Sequence, residues 1–84
     1  MFAELTMRRT SPLTPDSARV DGVRILALLP RRWSRHLRQA GEQIVIRVDT
    51  DDESTSAQLR ATVSATLTHP SLHHWHLTTC HPLG

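Results

Sequence analysis

Residues 23–41 read VRILALLPRRWSRHLRQAG, and the division of this stretch between strand and helix decides the fold expected of the chain. Val23-Arg24-Ile25-Leu26-Ala27-Leu28-Leu29 is a nearly unbroken apolar run stopped by Pro30. A central strand covered on both faces needs apolar residues at both alternating positions, so the run reads as a strand. From Arg31 to Ala40 the period changes. Trp33, Leu37 and Ala40 recur at helical spacing, Pro30 suits a first helical turn, and Gly41 suits the C-terminal stop.

Working outward toward the C-terminus, Gln43–Asp49 alternates: Ile44, Ile46 and Val48 face one way, Gln43 and Arg47 the other. That is a half-buried strand, expected at a sheet edge. A second helix follows. Asp51, Asp52 and Glu53 put negative charge at its positive end, Thr50 with Glu53 fits a capping box, and Ser54 competes as N-cap. Asp49, Asp51 and Glu53 alternate like calcium-loop ligands, but without that loop's central glycine and terminal glutamate, so capping accounts for them better. Leu59, Val63 and Leu67 form the helix's apolar stripe, and His69-Pro70 closes it. Leu72–Thr79 then reads as a last strand with Trp75 and Leu77 on one face.

The order strand–helix–strand–helix–strand predicts a small α/β domain of βαβαβ type: three mostly parallel strands in the order 2-1-3, with the two helices on opposite faces. The alternative is a two-layer α+β sandwich, with both helices on one side and the N-terminal segment as an antiparallel fourth strand. Leu28 and Val63 are expected in the core, and Trp33 and Trp75 at least half buried. Toward the N-terminus, Ala3, Leu5 and Met7 alternate weakly, while Thr10–Ser17, with Pro12 and Pro15, has a linker's composition. Residues 1–20 are therefore expected as a flexible arm and 21–84 as a single small α/β domain.

Composition narrows the function classes. With aromatics at 4%, the core must rest on Ile, Leu and Val. All ten basic residues are arginine, which reads as codon bias of a GC-rich genome of actinobacterial type. The net charge of +2 falls short of the footprint of a dedicated nucleic-acid binder. No apolar run approaches a membrane span, no hydrophobic segment follows Arg8-Arg9, and a lone Cys80 allows no internal disulfide; the expectation is a cytoplasmic protein without a membrane partner.

The helical reading of 31–40 lines up Arg31, Arg35 and Arg38 at i, i+4 and i+7, with Arg32 on the flank. Guanidinium groups suit carboxylate or phosphate, so these four are the expected partner-binding residues, directed at an acidic protein surface. Nucleic acid is the alternative ligand, supported by neither a glycine-rich loop nor a pair of sheet aromatics. Five of the six histidines lie between His69 and His81. His74 and His76 share a face of the expected strand and are the candidate metal pair. Cys80 lies about 13 Å farther along an extended chain and no third ligand is placed, so no metal or cofactor is expected. Cys80 and His81 point apart on an extended chain and do not make a catalytic pair. A parallel sheet would also gather Pro30, Arg31, Arg32, Cys80 and His81 at a switch point, though three strands are too few for a crevice. The expected function is a small non-enzymatic interaction or adaptor module. It binds another protein, such as the product of a neighbouring gene, or itself; the oligomeric state is open. Nucleic-acid binding through the first helix and metal binding through the last strand are the alternatives.

Overall fold

The computed structural model describes residues 2–9, 16–50 and 55–83. Its elements are β1 (Phe2–Arg9), α1 (Asp16–Leu28), β2 (Ser34–Ala40), β3 (Gln43–Asp49), α2 (Ser56–Thr66) and β4 (Trp75–Pro82). The strands form one four-stranded sheet in the order β2-β3-β1-β4, and every neighbouring pair is antiparallel. This βαββαβ order is the split βαβ, or ferredoxin-like, arrangement. It hosts many unrelated functions, so the fold alone assigns none. The parallel three-stranded sheet of order 2-1-3 is thereby overturned, and the class is α+β.

Two adjacent segments exchange their expected structures. Residues 23–28 belong to helix α1, which starts seven residues earlier at Asp16. Its buried positions are Ala18, Asp21, Gly22, Ile25 and Leu29, a helical stripe in which an acid and a glycine interrupt the apolar signal. Meanwhile Val20, Val23 and Leu28 stand exposed and fill in the outer face, so the window 23–29 looks apolar all round. Short apolar runs do not separate a strand from a buried helix by period alone. Leu28, expected in the core, is 45% exposed.

Residues 34–40 form a strand because its inward positions are Arg35, Leu37 and Ala40, opposite Val48, Ile46 and Ile44 of β3. A β-bulge between Leu37 and Gln39 adds one residue, so the inward spacing runs two and then three. With buried Trp33 just ahead, 33-37-40 imitates helical spacing.

The N-terminal segment is not a loose arm over residues 2–9. β1 lies inside the sheet, bonded to β3 on one side and β4 on the other, and Ala3, Leu5 and Met7 are fully buried. β3, expected at an edge, is likewise interior. The expected boundary at residue 20 falls inside α1.

One core holds the layers together. Leu5 and Met7 of β1, Ile44 and Ile46 of β3, Ile25 of α1 and Leu59 of α2 belong to a single buried cluster, with Trp33, Val63 and Trp75 also inside it. Because the alternating β1 and β3 side chains enter one cluster with both helices, both helices cover the same sheet face. Gly22 lets α1 approach β2: a Cβ there would lie 3.1 Å from Leu37 Cδ1. The N-cap of α2 is Thr55, whose hydroxyl accepts the Gln58 N–H at 3.2 Å while the Gln58 side chain accepts the Thr55 N–H at 2.9 Å. Thr55 thus takes the N-cap role expected of Thr50, and Glu53 and Ser54, the other expected capping residues, lie outside the described residues.

Candidate functional site

The four arginines expected to form one binding stripe part company on strand β2 and the turn before it. Arg31 and Arg32 are exposed in the α1–β2 turn, and Arg38 is exposed at the bulge of β2. Arg35 faces the helical layer, where its guanidinium donates to the carbonyls of Leu26 at 2.8 Å and Leu29 at 3.1 Å. Those acceptors belong to the C-terminal end of α1, where unsatisfied carbonyls carry partial negative charge. Arg35 therefore caps the end of α1, because strand alternation turns it away from Arg38 and toward the core.

His74 and His76 separate in the same way. His74 precedes β4, and its Nε2 lies 3.0 Å from Asp21 Oδ2; His76 is exposed in β4 opposite Arg8. They share no site, and among the described residues no group of three or more His, Cys, Asp or Glu is placed to hold a metal ion. The expected switch-point gathering also fails. Arg31 and Arg32 precede one edge strand, β2, while Cys80 and His81 lie in the other, β4. Cys80 faces inward opposite Leu5, and His81 falls on the opposite face with Glu4. Burial pushes the Cys80 thiol above its ordinary value of 9.0, and the Arg60 charge offsets part of that rise. Ser34 Oγ lies 3.5 Å from His36 Nε2, the limit of a hydrogen bond, and both are exposed.

Asp21 is the polar residue that the sequence reading missed. It is buried, and its Oδ2 accepts from Trp75 Nε1 at 2.9 Å as well as meeting His74. The Arg9 guanidinium stacks 5.1 Å above the Trp75 ring. Three segments distant in sequence, the end of β1, the middle of α1 and the start of β4, are tied together here. The signal was an acid inside the 18-22-25-29 stripe, legible only once that stretch is known to be helical.

The helical layer carries exposed apolar area, as do Phe2 and Leu83 where the end of β4 meets β1. On α1, Val20 and Val23 are each 56% exposed with Ala27 exposed beside them, and Leu28 is exposed on the flank beyond Arg24. Beside it runs a groove of about 600 Å³, lined by Leu28 and Pro30 from the end of α1, Thr62, Ala65 and Thr66 from α2, and Thr68 and His69. The threonine hydroxyls are already used: Thr62 donates to the Gln58 carbonyl, Thr66 to Thr62 and Thr68 to Ala65. They offer methyls and lone pairs but no free hydroxyl hydrogen. His69 Nδ1 accepts the Ser71 N–H at 3.1 Å, so Nε2 carries the ring's hydrogen and acts as a donor.

The rest of the surface is less receptive. The open sheet face carries a row across all four strands, His36, Arg47, Glu4 and His81, in which Arg47 and Glu4 pair at 3.0 Å. Both edge strands are bulged, β2 near Arg38 and β4 near Thr78, and β4 ends at Pro82. Bulges and prolines obstruct strand addition at an edge. Among the described residues no helix is long and apolar enough to cross a membrane. Compared with known proteins, the chain matches no family model, no curated protein and no solved structure.

Proposed function

We propose that this chain is a small non-enzymatic module that binds another protein through its helical layer. The observation that carries the reading is the open apolar groove between Leu28 and Pro30 at the end of α1 and the face of α2, with Val20 and Val23 also exposed farther along α1. A chain this short has little apolar area to spare from its core, and contiguous exposed apolar area on a small domain marks an interaction surface. The bulged edges and the internally paired sheet face direct contact to this layer rather than to strand addition. Arg35 is held by α1 and Arg38 lies on a sheet edge, while Arg31 and Arg32 are exposed in the turn that follows the groove-lining Pro30.

The test is site-specific photo-crosslinking in extract of the host cell, with the crosslinker at Val23 or, on the sheet face, at Thr6. The Val23 position should yield one discrete protein adduct that the Thr6 position does not. An adduct only from Thr6, or nucleic acid in place of protein at Val23, would overturn the reading. A covalent dimer of the chain would replace a foreign partner with a second copy.

A further inference from the structure

Charge says what kind of partner fits. From Ala18 to Trp33 and from Thr55 to His74 the sole acid is Asp21, and it is buried against His74 and Trp75. Over the same residues Arg19, Arg24, Arg31, Arg32 and Arg60 are exposed. Arg24, one helical turn before Leu28, and Arg31, which follows Pro30, are exposed neighbours in sequence of two groove-lining residues. His69 adds an N–H donor within the lining, and the three threonines have committed their hydroxyl hydrogens to backbone carbonyls. The groove therefore offers an apolar floor with one N–H donor, His69, and lies in a layer whose exposed charges along these stretches are all positive.

Resting on the docking role proposed above, we infer that the occupant is an acidic amphipathic segment of a partner protein. Its apolar edge seats against Leu28, Pro30 and Ala65, and its carboxylates meet Arg24 and Arg31. An apolar edge alone would leave these guanidinium groups unmatched; a phosphate backbone alone would leave the apolar floor unfilled.

Three labelled peptides test this by fluorescence anisotropy against the full chain. Each has one leucine face; the opposite face is glutamate, glutamine or lysine. The glutamate peptide should bind at least about tenfold more tightly than its glutamine twin and should weaken as salt rises. A Leu28→Glu, Arg31→Glu double variant, whose positions are both exposed, should lose that binding while keeping the wild-type melting temperature. Arg38→Glu reverses an arginine on the distant sheet edge and should retain binding within about twofold, since it lies outside the groove. Equal loss with Arg38→Glu would reduce the effect to bulk charge and overturn the inference. Equal binding of the glutamine peptide, lost in the double variant, would overturn the acidic partner while leaving the docking surface standing. Failure of every peptide to bind would also overturn it; the crosslinking result at Val23 judges the docking surface independently.

Discussion

Asp21 and Arg35 both tie α1 to the sheet, and each is a charge used inside the molecule. Asp21 Oδ2 receives the Trp75 indole and meets His74. Asp21→Ala would strand a buried indole N–H, and should cost about 1.5–3 kcal/mol in urea denaturation, a large share of a small domain's stability. Asp21→Asn keeps an acceptor oxygen and should lose less; equal stability of Asp21→Ala and wild type would show the contact to be unimportant. Arg35→Ala uncaps the last carbonyls of α1 and should lower stability by about 1–2 kcal/mol, whereas Arg31→Ala, out in the turn, should stay within about 0.5 kcal/mol. Finding the reverse would restore Arg35 to a surface role. Cys80, with its thiol held above the ordinary value by burial, should react with iodoacetamide at neutral pH more slowly than free cysteine, and at the free rate only after unfolding.

At the level of elements, the exchange of strand and helix around Pro30 moves the burden of the core. Leu59 in α2 is fully buried, and Leu59→Ala should cost about 2–5 kcal/mol, while Leu28→Ala on the outer side of α1 should change the melt little. A large loss at Leu28 would place it back in the core. Residues 2–9 hold two rows of sheet hydrogen bonds, so deleting them should abolish cooperative unfolding rather than leave it untouched. The cap of α2 is a smaller matter. Thr55→Ala breaks a reciprocal box and should cost about 1 kcal/mol by thermal melt.

Across the whole molecule, strand order sets where protection from solvent concentrates. β1 and β3 are each bonded on both sides, while β2 and β4 have one side open. Native-state hydrogen exchange should therefore be slowest in β1 and β3, with the eight residues of β1 among the most protected. Exchange of β1 at the rate of a free tail would contradict the sheet order. The same architecture divides the surface: bulged edges and a polar sheet face on one side, and a basic, partly apolar helical layer on the other.

Much of this was readable residue by residue, and the limits are physical. The strand Gln43–Asp49 and the stripe Leu59, Val63 and Leu67 were legible because each meets a single periodic environment, one face buried and one not. The burial of Trp33 and Trp75 followed from their size. Local pattern failed where tertiary contacts rewrote the period. Asp21 and Gly22 sit in the buried stripe of α1 because His74, Trp75 and Leu37 meet them there, and no neighbour in sequence announces those partners. A one-residue bulge, defined only against β3, gave β2 the spacing of a helix and turned Arg35 inward. The central place of β1 depends on pairings with β3 and β4 across 35 residues or more, which a period of two cannot encode. So the candidate surface too became visible only in three dimensions: Leu28 faces outward beside α2, and Arg35, expected on the surface, is held by the end of α1.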